Sequence, residues 1–324
     1  MVTIKDVAAL AQVSPATVSN VLNDRGHVSQ ATRKRVLQIV QELGYRANIH
    51  AQQLVTQRSR IVAIKLPELS GLGEVGIPNS TYFLNIVNAA TEAAEELDYA
   101  VVVLPSRVSS GSFRRFGIDG FILVDPADHD AAFTSGTPTV TIGAGAHFQG
   151  SRVQIDNDHA AALHVALERF QANQKKHHAI VKDSTHRAYV ETIADAYGDW
   201  AHVAGTEPLI FELESLDVVE IDALLETMIA RGVDSVYATS DDIALGLLQR
   251  AQERRIQIPD ELAIISAVDS LALTFTSPPI SAMELFPRVA GEKAFKHLLQ
   301  SIGTELLTTE TVLIPAEFVS RGTV

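Results

Sequence analysis

Val7-Ala8-Ala9-Leu10-Ala11-Gln12-Val13-Ser14-Pro15-Ala16-Thr17-Val18-Ser19-Asn20-Val21-Leu22-Asn23 reads as two short helices joined by a tight turn. Val7, Leu10 and Ala11 form one apolar stripe, opened by Thr3 with Asp6 three residues on, the spacing of a capping box. Gln12-Val13 breaks the run. Ser14 then supplies a capping hydroxyl, and Pro15 takes the first helical position, where a missing N–H costs nothing. The second helix buries Val18, Val21 and Leu22 and exposes Pro15, Ala16, Thr17, Ser19, Asn20 and Asn23. Those exposed residues are small or amide-bearing. A helix entering a DNA groove needs just that: little bulk, and hydrogen-bonding groups near its N-terminus. Asn23 to Gly26 reads as a turn, and Ser29 caps a third helix carrying Val36, Ile39, Val40 and Leu43, which Gly44 ends. The bland alternative is a small helical bundle that docks on another protein.

Charge is split along the chain. The 324 residues carry a net −13, yet residues 1–60 hold eight Lys/Arg against three Asp/Glu, a net +5. The remainder holds 18 basic and 36 acidic residues, a net −18. A small basic head on a large acidic body is expected when only one end meets phosphate. Apolar residues make up 46% of the chain, ample for packed cores, and the length suggests two or three domains. No apolar run approaches the roughly 20 residues of a membrane helix, and Met1 to Asp6 lacks the basic-then-apolar pattern of a secretory leader. The expected compartment is therefore the cytoplasm. The absence of Cys excludes disulfides, thiolate nucleophiles and Cys-based zinc sites.

Residues 46–60 are polar, with Ile49, Leu54 and Val55 as the only sizeable apolar groups, and read as a linker that folds on contact with a partner. From Ile61 the pattern becomes strand–helix alternation. Strands are expected at 61–66, 99–104, 121–124, 139–142, 153–155, 179–182, 235–239 and 262–268. Helices are expected at 83–97, 160–170, 219–231, 243–254 and 289–302. Apolar strands separated by helices argue for parallel sheets covered on both faces. There are too many strands for one comfortable sheet. The expected fold is an all-α helix-turn-helix headpiece followed by an α/β body of two doubly wound parallel lobes, whose ligands lie outside the carboxyl ends of the strands.

These residues carry a specific resemblance. Thr3-Ile4-Lys5-Asp6-Val7-Ala8, Val13 to Ser19, Val21-Leu22-Asn23, Val28-Ser29, Thr32-Arg33 and Glu42-Leu43-Gly44-Tyr45-Arg46 resemble the headpiece signature of the lac repressor (LacI/GalR) family of bacterial regulators. Asp119 to Leu123, Ile155-Asp156-Asn157, Ser240 to Gly246, Pro278 to Ser281, and Pro315, Glu317 and Arg321 resemble its sensor-domain landmarks, in order. Only about residues 65–80 and 171–215 fit poorly. The resemblance implies a helix-turn-helix domain at 1–46, a hinge at 47–60 and a periplasmic-binding-protein-like effector and dimerisation domain at 61–324. Its first lobe would span about 61–156 and 282–311, its second about 157–281 and 312–324.

The resemblance also implies roles. A homodimeric repressor would read a pseudo-palindromic operator in double-stranded DNA. Pro15, Ala16 and Asn20 fall at base-reading positions, Pro15 and Ala16 offering apolar contacts and Asn20 an amide suited to adenine. Thr3, Ser14, Thr17, Ser19, Thr32 and Arg33 would hold phosphates, giving affinity without sequence information. In the hinge Asn48 would cap a short minor-groove helix, Ala51 would leave room for its dimer mate, and Leu54 would wedge into the central base step. Ala47 stands where the family often has Pro.

In relatives a small molecule, often a sugar or purine, sits between the lobes. Tyr82, Phe83, Asp156 and Ser240 fall on cleft-lining positions, the two aromatics being equally readable as core. Two positions depart. Tyr189 occupies the place of the family's ligand-clamping Arg, with Arg187 two residues away, and Val268-Asp269 replaces a pair of acids. A cleft without those anchors would favour a more apolar or differently charged effector, or none.

Enzyme motifs are absent. Gly143-Ala144-Gly145 begins like a dinucleotide loop, but Phe148 replaces the third Gly, and neither a nucleophile elbow, a zincin helix nor a phosphate loop occurs. Adjacent His177 and His178 would point to opposite faces of a strand, and Asp241-Asp242 read as a dipole-favoured helix start, so neither pair suggests a metal. No cofactor or metal is expected, and the chain is not expected to be an enzyme. Two rivals share the fold: a regulator controlled by protein contact or abundance, and a solute-binding protein.

Overall fold

The structure is a computed structural model, which describes residues 2–22, 26–45, 58–67, 81–104, 117–126, 130, 132–133, 135–143, 153–185, 187–303 and 310–324. It divides into two compact units, Met1–Ser59 and Arg60–Val324.

The first unit holds α1 (Ile4–Ala11), α2 (Pro15–Leu22) and α3 (Gln30–Glu42). Its caps are local. The Asp6 carboxylate accepts from the Thr3 N–H and hydroxyl, both at 2.8 Å. Gln12 closes α1 in the left-handed region at φ 51°. The Ser14 oxygen accepts from the Thr17 N–H at 3.1 Å, and Ser29 from the Thr32 N–H at 3.2 Å. Val7, Ala8, Ala11, Val18, Val21 and Val36 form the core. Each fully buried Val contributes about 1.5–3 kcal/mol against exposure, so this small core fixes all three helices together. Asn48, Ala51 and Leu54 lie outside the described residues, as does the start of the hinge at 47.

In the second unit β1 (Ile61–Lys65), α4 (Thr81–Glu95), β2 (Ala100–Leu104), β3 (Gly120–Val124), β4 (Thr139–Ile142) and β5 (Val153–Asn157) come first. Then follow α5 (His159–Ala172), β6 (His178–Asp183), α6 (Ala188–Ala204), β7 (Ile210–Leu213), α7 (Val218–Ala230), β8 (Ser235–Ala238), α8 (Asp241–Glu253) and β9 (Ala263–Ser266). The chain ends through α9 (Leu271–Thr274), β10 (Ser281–Glu284), α10 (Pro287–Ser301), β11 (Glu310–Ile314) and β12 (Glu317–Val319). Two six-stranded sheets result, ordered β11-β5-β4-β3-β1-β2 and β12-β10-β9-β8-β6-β7. Every pairing is parallel except β10 with β12. Both lobes thus repeat one strand order, with the direction of winding reversing between β1 and β3 and again between β6 and β8.

Sheet pairing corrects the expected lobe limits. Ser281–Glu284 belongs to the second sheet and Glu310–Ile314 to the first, so the returns fall near residues 285 and 315 rather than 282 and 312. Three chain crossings therefore join the lobes, after Asn157, Glu284 and Ile314. The buried Asn157 amide donates to the Leu285 carbonyl at 2.9 Å and the Ile314 carbonyl at 3.1 Å. One side chain ties all three crossings. α6 was not expected from the sequence. Its buried Val190, Ile193, Ala194, Tyr197 and Ala201 keep helical period, but two are alanines and dilute the apolar signal.

Two large helices cover one face of the first sheet. Gly291 of α10 packs on α4 so closely that a Cβ there would lie 2.3 Å from the Ile86 carbonyl oxygen.

Candidate functional site

Two sites are built on this frame. In the head, Pro15, Ala16 and Asn20 lie exposed along α2 while Val18 and Val21 hold its inner face. The Asn20 amide lies beside the turn at Gly26, whose φ is +72°. Thr3 and Ser14 are exposed, and Thr17, Ser19, Thr32 and Arg33 are half-buried. The Ser14 and Thr17 hydroxyls lie 2.9 Å apart, and the Ser29 hydroxyl donates to that of Thr32 at 2.9 Å. These hydroxyls cluster at the starts of α2 and α3, where unpaired N–H groups favour anions. A hydrogen-bonded capping pair is thus the starting state of any phosphate contact.

The second site is a cavity of about 190 Å³ within the body. It is lined by Tyr82, Phe83, Asp125, Gly143, Asp156, His159, Arg187, Tyr189, Leu216, Ser240, Asp241, Asp242, Val268 and Leu285. Their places follow one rule. Asp125 and Gly143 stand just past β3 and β4, Asp156 near the end of β5, and Ser240 and Leu285 just beyond β8 and β10. Tyr82–Phe83 open α4 after β1, and Arg187 caps α6 after β6. Both reversals of winding therefore face the cavity, where the strand ends splay and leave a crevice.

Aromatic groups join the lobes there. Tyr82 packs against the cores of both lobes, and Phe83 is buried in the first while also lining the cavity. Burial, with Asp125 and Asp156 nearby, pushes the Tyr82 hydroxyl well above its usual range. The His159 ring lies 5.4 Å from that of Tyr189 and its Nε2 3.7 Å from Asp156. Burial lowers its pKa to about 4, so the imidazole is neutral at physiological pH. The Arg187 Nη2 donates to Asp183 at 2.9 Å and Nε to Thr185 at 3.0 Å, and the guanidinium carbon lies 5.5 Å from the Tyr189 ring centre.

The cavity gathers seven of the eight residues expected at the cleft; Asp269 is the exception. Its carboxylate is turned away and held by the Arg321 guanidinium at 2.8 and 2.6 Å, leaving Val268 to face the cavity. Other charged groups line the cavity where those two anchors are missing. Arg187 lines it from just before α6, two residues ahead of Tyr189, and carboxylates face it from both lobes. Sequence reasoning missed Asp125, Gly143, His159, Leu216 and Leu285, and read Asp241-Asp242 only as a helix start. Position just beyond an apolar strand could have found Asp125 and Gly143. His177 and His178 do not form a metal site: His178 is buried against Ser235, its Nδ1 2.7 Å from the hydroxyl, and stacks on Phe170, while His177 is exposed. Among the described residues no group of three His, Asp or Glu is placed to hold a metal, and no helix is long and apolar enough to cross a membrane.

Residues 3–48 match the family model of bacterial regulatory proteins, lacI family, and residues 160–324 the periplasmic binding protein-like domain. The chain is 23% identical to the transcriptional regulator RegA of Clostridium saccharobutylicum, covering 98% of both. It is 24% identical to the ribose operon repressor of Bacillus subtilis, covering 100% of this chain and 98% of that one. Its fold matches the lac repressor dimer bound to operator and the anti-inducer ONPF, with TM-score 0.81, 21% identity and coverage of 99% and 98%. The CelR–cellobiose complex matches with TM-score 0.70 and 22% identity over the whole of both chains. The headpiece, the two-lobed body and the match along the full chain place this protein in the lacI family of bacterial DNA-binding transcription regulators.

Proposed function

We propose that the protein is a sequence-specific repressor that binds a pseudo-palindromic operator as a homodimer in the cytoplasm, with affinity set by a small molecule in the inter-lobe cavity. The exposed Pro15–Ala16–Asn20 face of α2, backed by a packed core, carries the DNA-reading half of this proposal. Pro15 and Ala16 meet base edges by apolar contact, and Asn20 hydrogen-bonds adenine. Thr3, Ser14, Thr17, Ser19, Thr32 and Arg33 hold phosphates on either side. Asn48, Ala51 and Leu54 act in the minor groove, Leu54 as a wedge whose unstacking cost of about a few kcal/mol is offset by the bend it permits. Domain limits of 1–46, 47–60 and 61–324 go with this division of labour. The chain acts by binding, not as an enzyme.

Effector in the cavity changes the angle between lobes that share three crossings, and the change reaches the hinge helices of the dimer. Arg187, Tyr82, Tyr189, Asp156, Ser240 and Val268 form its binding wall. Selection from random duplexes by the purified full chain, at low salt and with or without small-molecule extract, tests this reading. A palindromic consensus whose affinity moves with the extract is expected. Absence of any preferred duplex would end the DNA-binding proposal, and a preferred duplex indifferent to extract would favour control by protein contact or abundance.

A further inference from the structure

We propose that the cavity takes a small effector carrying a protonated nitrogen, seated against Asp125. The inference rests on the effector reading above and specifies its chemistry. Among the described residues the lining presents four carboxylates, Asp125 and Asp156 from the first lobe and Asp241 and Asp242 from the second, against the single guanidinium of Arg187. Arg187 is already committed, through Nη2, to the buried Asp183. His159 adds no charge, since burial holds its imidazole neutral. With three further carboxylates against one guanidinium, the wall is therefore net negative even while Asp125 holds a proton, which a bound cation would displace.

The four acids are not equivalent. Asp241 and Asp242 occupy the first turn of α8, where the helix dipole favours them. Asp156 accepts from the Asn157 N–H at 2.8 Å and the Gln154 amide at 3.0 Å. Asp125 has no such support. It follows β3 in the left-handed region at φ 41°, and its carboxylate accepts no hydrogen bond from any described residue. Gly143 makes room for it: a Cβ there would meet Asp125 Oδ1 at 2.2 Å. The carboxylate is thus fixed against bare backbone on one side and opens to the cavity on the other. Burial first, and then Asp156, raise its pKa to about 7, with Arg187 opposing; Tyr82 and Tyr189 are the other titratable groups within its field.

A ligand that fills the cavity shuts these acids off from solvent. A neutral polyol would donate hydrogen bonds but leave the excess charge buried, which is costly. A protonated nitrogen supplies both the donors and the charge, and the Tyr82 and Tyr189 rings favour a cation nearby. The volume of about 190 Å³ fits a molecule of monosaccharide size.

The test uses the full-length protein in about 0.15 M salt, where exposed charges are screened. The probes are a bacterial small-molecule extract, the fraction of it retained by a cation exchanger, and the flow-through. Thermal melting is read with each. The retained fraction is expected to raise the melting temperature as the whole extract does, and the flow-through to leave it unchanged. Asp125→Asn, checked for native circular dichroism, should need about ten-fold more retained fraction for the same shift, the loss of one charged hydrogen bond. Should that variant not fold, Asp241→Asn is expected to weaken the response in the same direction. A shift carried by the flow-through, or a retained-fraction shift untouched by the variants, overturns the cationic assignment and leaves the effector reading standing. No shift from whole extract overturns both.

Discussion

Replacing Asn157 by Ala removes a side chain that bonds across the three lobe crossings. Its amide makes hydrogen bonds of 2.9 and 3.1 Å to the Leu285 and Ile314 carbonyls, in a position only 7% exposed. A neutral buried hydrogen bond contributes about 1 kcal/mol net, so Asn157→Ala should cost about 2 kcal/mol, and more if water cannot reach the carbonyls. For a body of this size that is a fall of roughly 4–8 °C in melting temperature. Asn157→Asp is the sharper perturbation. It keeps the shape but turns the donor into an acceptor facing two other acceptors, so it should lose more than Ala does. Urea unfolding followed by the fluorescence of Trp200, the sole tryptophan, reads both variants. A midpoint shift at constant slope is the expected form. Stability of Asn157→Ala within about 0.5 kcal/mol of wild type, or an Asp variant no worse than the Ala variant, would refute the idea that this amide holds the crossings together.

Asn20→Arg should move the preferred operator from adenine toward guanine at one position of each half-site, by about 1–3 kcal/mol of discrimination; identical consensus sequences from selection on random DNA would reject the contact. The pH dependence has a defined sign. Because the folded pKa of Asp125 is about 7, above its ordinary 3.8, the native state keeps a proton that the unfolded chain has released, and the contribution of Asp125 to stability falls as pH rises from about 4 to about 7. His159, depressed from 6.5 to about 4, contributes the opposite slope between those values, so only the difference between Asp125→Asn and wild type isolates the carboxylate. That difference, from urea midpoints, should grow with pH in favour of Asn, and a flat difference would exclude the raised pKa. Two glycines in helices should respond oppositely to Ala. Gly198→Ala meets open space and should gain about 1 kcal/mol, whereas Gly291→Ala drives a Cβ into the Ile86 carbonyl and should lose stability despite the same propensity gain; matching signs in thermal melts would show the α4–α10 contact to be yielding.

The head was legible because its determinants are neighbours in sequence. Thr3 and Asp6, Ser14 and Thr17, and Ser29 and Thr32 each cap a helix from three residues away. The strands of the body were legible where apolar runs are short and continuous, as at Phe121–Val124, all buried. Strands of mixed exposure such as β7, β11 and β12 were not, since an edge strand need not be apolar throughout. The cavity was only partly legible. Tyr82 and Ser240 announce themselves by position in a recognisable pattern. Asp125 depends on Gly143, and Asp269 is diverted by Arg321, 52 residues downstream. Such pairings join residues that no local period connects.

The strand order has a consequence for synthesis on the ribosome. The described core of the head lies wholly within residues 4–45, so its contacts are available early. The sheet begun at Ile61 is different: it acquires its last helix at Pro287–Ser301 and its final strand at Glu310–Ile314. The other sheet ends with Glu317–Val319. Both lobes are therefore finished almost together, long after their first strands are made, and until then β5 presents a bare edge to other nascent chains. Premature termination anywhere in this long interval would release a competent head on an unfinished, self-associating body.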